Sequence, residues 1–285
     1  MLVLKIGLVL VLLYLVWQAQ ELMRFNRTRY EIRSEKLTSE HKWVVVSDLH
    51  LWQYGKKNRR LLAAIREEAP EAILMPGDLI VHTKPEHFAV AEELMEELVK
   101  LAPVYFSNGN HESRLEDPAH ENYGPYQRLK KKMQALGVHM LNNDQELLKS
   151  GEDEIVIHGL ELPLFYYRKW KETPLQPNEL VRCMGVPDAQ RYHVLLAHTP
   201  QYLPDYFVWG ADLCLSGHYH GGLVCLPVIG SVISPQFELF PKYSFGRIDE
   251  GSHTALISRG MGTHTFHIRI FDRSELLVIT AKQAG

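Results

Sequence analysis

Cysteine is scarce: Cys183, Cys214 and Cys225 are the three in 285 residues, and no CxxC pair occurs. An odd, scattered set excludes a disulfide framework. Three inert, buried thiols in a reducing compartment are expected instead. Excess charge of one sign is also missing. The formal net charge is -3, so no basic field draws in nucleic acid, and no nucleic-acid partner is expected. Internal repeats and low-complexity tracts are absent, which excludes solenoids and long flexible linkers. Hydrophobic residues at 46% and charged residues at 23% match an ordinary globular body. With the N-terminal apolar run set aside, roughly 240 residues remain, enough for one α/β domain with a sizeable core.

That apolar run, Leu2 to Trp17, is broken by Lys5 and Gly7. A spanning helix needs about 20 apolar residues, with a lower limit near 17, and Lys5 can snorkel to the interface. A cleaved signal peptide is the rival reading, but Trp17-Gln18-Ala19-Gln20 offers no small-x-small cleavage pattern. Arg24, Arg27, Arg29, Arg33 and Lys36 follow the run, which places its C-terminal side in the cytoplasm and suits a segment lying on anionic lipid. The expected organisation is a transmembrane anchor over 1–20, a basic juxtamembrane linker over 21–41 and a catalytic domain over 42–285. The expected location is the cell (inner) membrane, single-pass.

From residue 42 short apolar runs alternate with helical spacing. Residues 43–46, 72–75 and 104–107 read as buried strands, with helices over 58–68 and 86–100 between them. This order implies parallel strands with right-handed crossovers. Further on, 126–136 reads as a helix. Residues 155–157, 193–196, 212–215, 255–258, 266–271 and 276–279 read as strands. The expected architecture is α/β, a sandwich of two sheets with helices outside.

Ligands bind beyond the carboxyl ends of strands in α/β sheets. Here five predicted strands run into candidate metal ligands: Asp48 and His50, then Asp78, then Asn110, then His198, then His218 and His220. Gly77, Gly109 and Gly217 precede three of these positions and permit close backbone approach. Carboxylate and imidazole together suit Mn, Fe or Zn better than Mg or Ca. Two dications repel, so an anionic bridge helps, and Asp78 is the candidate. Each fragment alone is weak. A lone Asp-x-His or Gly-Asp is more often a turn than a site, but the whole series in this order is hard to produce by accident.

Asp48-Leu49-His50, Gly77-Asp78, Gly109-Asn110-His111-Glu112, Ala197-His198 and Gly217-His218-Tyr219-His220 resemble the motif set of the calcineurin-like metallophosphoesterases, over about residues 42 to 280. The resemblance implies a four-layer α/β/β/α sandwich and two divalent ions. Asp48, His50, Asp78 and His220 would hold one ion, and Asp78, Asn110, His198 and His218 the other. It further implies in-line hydrolysis at phosphorus, with the ions polarising the phosphoryl oxygens. The anchor and Arg259-Gly260-Met261-Gly262-Thr263 look like the membrane-associated bacterial branch. A non-catalytic scaffold would have eroded ligands, and none is missing from the motifs.

The leaving oxygen then needs a proton, and His111 is the candidate general acid. Arg114 could reach a substrate phosphate, and His82 could line the mouth. His253, His264 and His267 read as structural. The aromatic and basic stretch from Leu162 to Trp170 is a candidate lid or membrane-facing flap. The anchor favours a lipid-linked phosphoester or pyrophosphate, with the pyrophosphate of UDP-diacylglucosamine as one concrete candidate. A soluble substrate such as a cyclic nucleotide is the alternative.

Overall fold

The structure, a computed structural model, describes residues 1–81, 84–168, 173–222, 224–226, 228–234, 238–263 and 267–285. His82, His264, Phe266, Lys169 and Trp170, named above, lie outside the described residues. Helix α1 (Leu2–Leu22) opens the chain. Its stretch Leu4–Leu22, with hydropathy 1.4, is long and apolar enough to cross a membrane. Leu4, Leu8, Leu12 and Leu15 are all exposed.

The stretch read from the sequence as a juxtamembrane linker contains a strand, β1 (Phe25–Ser34). Three of its basic residues pair with carboxylates of the body, and Arg33 pairs within the strand. Arg27 pairs with Glu67 and Glu68, Arg29 with Glu68, Arg33 with Glu31, and Lys36 with Asp212. Beyond it come β2 (His41–Val45), α2 (Arg59–Glu68), β3 (Ala72–Met75), α3 (Phe88–Leu98), β4 (Val104–Phe106), α4 (Asn110–Leu115), α5 (Tyr123–Ala135) and β5 (His139–Met140). The next elements are β6 (Asp144–Ser150), β7 (Asp153–Leu160), α6 (Glu179–Met184), β8 (Tyr192–Ala197), α7 (Leu203–Trp209) and β9 (Leu213–Ser216). The chain ends with the hairpin β10 (Val224–Leu226) and β11 (Gly230–Ile233), then β12 (Gly246–Glu250), β13 (His253–Ile257) and β14 (Ser274–Gln283). The strand expected over 266–271 is not formed in its described part; Ile270 makes only an isolated bridge to Val224.

One six-stranded sheet has the order β1-β14-β2-β3-β4-β5, the other β12-β13-β9-β8-β7-β6. Trp43, Leu74, Tyr105, Ile157, Val194 and Leu213 pack between the sheets. The opposite face of the first sheet buries Leu61, Ile65, Leu94, Leu98 and Leu129 from the helices. That of the second buries Leu180, Tyr206 and Phe207. The result is the four-layer α/β/β/α sandwich. Fully buried runs such as Ala72–Met75 form strands because apolar helices cover one face and the facing sheet the other.

Strand direction positions the site. Strands β2, β3 and β4 are mutually parallel, and so are β7, β8 and β9. Strand β14 runs antiparallel to β2, with Leu277 opposite Val45, and parallel to β1, with Ser274 opposite Phe25. The carboxyl ends of β2, β3 and β4 therefore lie at the same sheet edge as the start of β1, where α1 arrives.

Candidate metal centre

Each candidate ligand sits just past a strand. The loops after β2 and β3 stay hydrogen-bonded beyond the strands: Asp48 N–H donates to Gly77 O and His50 N–H to Asp78 O, both at 3.1 Å. Asp48, His50, Asp78, His218 and His220 all hold left-handed backbone, with φ of 50°, 49°, 55°, 72° and 52°. Such residues cost on the order of 1–3 kcal/mol each and persist where the surroundings over-determine them, which points to function at this edge. Two glycines permit the close approach. A Cβ on Gly109 would stand 2.2 Å from Asp78 Oδ1, and one on Gly217 2.0 Å from Asp48 Oδ2.

The side chains converge in three groups: Asp48, His50 and His220; His50, Asp78 and His111; Asp78, His198 and His218. Within each, the donor atoms lie within 4.8 Å of one another. Asp78 Oδ2 lies 3.1 Å from His198 Nε2 and 3.8 Å from His50 Nε2. Asp48 Oδ1 lies 3.5 Å from His220 Nε2, and His50 Nε2 lies 3.0 Å from His220 Nε2. Asp78 and His50 each belong to two of the groups and so link all three.

These donors fit divalent ions. His198 donates Nδ1–H to Pro76 O at 2.9 Å, and His50 donates Nδ1–H to Ile80 O at 3.3 Å. Each bond fixes the tautomer and aims the Nε2 lone pair inward, the usual support of a metal-ligating histidine. The carboxylates call for positive charge. Burial, together with nearby Asp78, pushes Asp48 up to about 6, with His198 opposing. Burial disfavours a charged His198, yet Asp78 and Asp48 push it up to about 9. Asp78 is buried as well, but the charges of His198, His111 and His50 hold it well below the usual carboxylate range. A mixed carboxylate and imidazole set of this kind suits Mn, Fe or Zn.

Asn110, His111 and Arg114 sit on α4. The two ends of the Asn110 amide lie 2.8 Å from His218 Nδ1 and 2.8 Å from Arg114 Nη1. His111 N–H donates to Asp78 Oδ1 at 3.0 Å, and its half-buried ring meets His50 edge-on, centroids 5.0 Å apart. His253 bonds Ala211 O at 2.7 Å, away from the groups above. The expected lid stretch contributes Tyr167, whose ring lies 5.3 Å from that of His218. Glu112 had been given no role. Fully buried, it accepts N–H bonds from Asp78 and Gly109, each at 2.9 Å, and from Ile80 at 3.0 Å. It thus ties the Asp78 loop to the Asn110 loop. Burial and Asp78 push its carboxyl up to about 8, against the Ile80 and Gly109 N–H donors and the charge of His198.

The family model of the calcineurin-like phosphoesterases matches residues 41–222. The uncharacterized metallophosphoesterase YkuE of Bacillus subtilis is 26% identical over 255 residues, covering 86% of this chain and 80% of its own. Phosphodiesterase YaeI of Escherichia coli is 22% identical over 213 residues, covering 75% of this chain and 71% of its own. Among solved structures, the phosphopantetheinyl hydrolase of Mycobacterium tuberculosis is similar with a TM-score of 0.46 and 13% identity, covering 79% of this chain and 89% of that one.

Proposed function

The chain belongs to the calcineurin-like phosphoesterase family, and from that premise we propose that it hydrolyses a phosphoester or pyrophosphate bond of a membrane-associated substrate, using two divalent ions. It is a metal-dependent phosphoesterase. The reading rests on the convergence of Asp48, His50 and His220, and of Asp78, His198 and His218, at one sheet edge. Asp48, His50, Asp78 and His220 would hold one ion. Asp78, Asn110, His198 and His218 would hold the other. Bound ions polarise phosphoryl oxygens and lower the pKa of water. The chain supplies the rest: His111 protonates the leaving oxygen, Arg114 contacts a phosphate oxygen, and Tyr167 walls the His218 side.

Exposed α1, long and apolar enough to cross a bilayer, supports a single-pass anchor, read here as uncleaved, and the basic residues after it favour a cytoplasmic catalytic body. Tethering raises the local concentration of lipid-borne substrate and does little for a soluble one. UDP-diacylglucosamine is the concrete candidate. The name of the E. coli relative, a phosphodiesterase, supports a diester bond and keeps soluble diesters such as cyclic nucleotides as the second reading. A panel of phospholipid, nucleotide-linked lipid and cyclic nucleotide separates the two.

The metal assignment is tested by measuring metal content and turnover of bis(p-nitrophenyl) phosphate. Asp78→Asn should lower occupancy at both positions and cut turnover at least 100-fold. His50→Ala should lower occupancy at one. Wild-type turnover in Asp78→Asn would sink the two-ion reading.

A further inference from the structure

The last turn of α1 is docked on the body. Gln18 and Glu21 are buried. Gln18 Nε2 donates to Arg269 O at 3.1 Å, and Glu21 pairs with Arg273 at 2.5 Å. Trp52 Nε1 donates to Leu22 O at 3.2 Å, and the Trp17 ring lies 5.8 Å from that of Phe271. What remains to face lipid runs from Leu2 to Trp17. At about 1.5 Å per residue it rises about 24 Å, short of a hydrocarbon core of about 30 Å. A short span is accommodated by drawing its flanking groups toward the bilayer.

Beyond these docking contacts, the surface beside the helix is apolar. The β10–β11 hairpin starts four residues after His220 and turns at Val228 and Ile229, both exposed. Hairpin turns in water favour Asn, Asp or Gly at their tips. This one carries two β-branched apolar residues, and no charge occurs from Leu223 to Pro235. Exposed Leu239 and Phe240 are joined to the hairpin by the Ile233–Leu239 bridge and by Phe240 N–H donating to Val232 O at 3.0 Å. On its other side Cys225 N–H donates to Ile270 O at 2.9 Å, next to exposed Phe271, which packs on Trp17. The apolar surface therefore continues from α1 through Phe271 to the hairpin. All of it lies at the sheet edge that carries the metal centre.

We propose that the β10–β11 hairpin, with Leu239, Phe240 and Phe271, is a second membrane contact that sinks into the boundary between headgroups and acyl chains beside α1. It makes up the missing length of the helix. It also holds the mouth of the metal centre against the lipid surface, so that a lipid-borne phosphate enters from the bilayer side. The occupant is a bilayer because the patch is continuous with the lipid-facing helix. The proposal rests on the membrane reading of α1 given above.

The test uses the full-length chain in phosphatidylethanolamine–phosphatidylglycerol vesicles. Cys183→Ser removes the half-buried thiol, while Cys214 and Cys225 are buried. A single fluorophore is then placed at Ile229→Cys. A control carries it at Glu152→Cys, exposed in the turn before β7 and so at the opposite sheet edge. The Ile229 label should shift to shorter wavelength, be quenched by nitroxide-labelled lipid and be shielded at least fivefold from iodide relative to the control. Equal access to iodide at both positions overturns the proposal. Shielding from both quenchers would mean contact with a second copy, and overturns it too. Turnover of bis(p-nitrophenyl) phosphate in the same vesicles reports separately on the chemistry. A label in lipid without turnover leaves the membrane contact standing and removes the phosphoesterase reading. Turnover with a label in water does the reverse.

Discussion

Glu112 shows how much of the centre depends on a residue that would touch neither ion. One of its oxygens accepts two N–H groups and the other accepts one, from both loops that bring Asp78 and Asn110 together. Glu112→Gln replaces one acceptor oxygen by an amide that faces an N–H. The expected loss is about 1–3 kcal/mol, the cost of a buried unsatisfied donor, with metal content falling in parallel. Urea unfolding and metal analysis measure the two; wild-type values in both would remove the role. The candidate ligands were legible in the sequence because each follows an apolar strand, and Asp78, Asn110 and His218 also follow a glycine, as Asp78 follows Met75 and Gly77. Glu112 was quoted within its motif, but its partners are backbone N–H groups of distant loops, which leave no mark in a residue string. Tyr167 falls in the stretch read as a lid, but its contact with His218, 51 residues further along the chain, was not legible.

Strands β7 and β8 carry a buried histidine pair. His193 donates Nε2–H to Asp188 O at 2.6 Å, so its Nδ1 accepts from His158 Nε2 at 2.9 Å. His158 Nδ1 is then left as a buried acceptor with no partner among the described residues. Burial, with His193 adding to it, pushes His158 down to about 3. In the unfolded chain the ring takes a proton near pH 6.5. Between those values unfolding takes up a proton, so stability is full above pH 6.5 and is lost as the pH falls. From pH 6.5 to 5 the loss is about 2 kcal/mol at about 1.4 kcal/mol per pH unit. His158→Gln keeps a donor for His193 without titrating, and its unfolding midpoint should fall less over that range. Equal slopes for the two proteins would exclude the pair as a source of acid sensitivity. Parallel strands buried on both faces, such as β3 and β8, read plainly as apolar runs. Strand β1 did not: Phe25–Ser34 is mostly polar, buries Ile32 alone, and finds its partner β14 at the far end of the chain.

At the scale of the molecule, two buried carboxylates and four histidines at one edge tie folding to divalent ions. Ions bound at about 100-fold their dissociation constant add roughly 2.7 kcal/mol. Chelation should therefore lower the melting temperature by about 5–10 °C at about 2–4 °C per kcal/mol, and added Mn should restore it. A melting curve indifferent to chelator would mean that the fold carries no bound ion. The junction of α1 and β1 has a consequence of its own. Only Met23 and Arg24 separate a helix docked at its last turn from a strand paired along its whole length with β14. The body is thus mounted on a stiff mast, without a leash. With α1 in a bilayer, as proposed, it would drift and spin in the plane but not change its altitude. With the metal centre held at one height, the anchored enzyme would act as a ruler, selecting substrates by how far their phosphorus stands above the acyl chains as well as by chemistry.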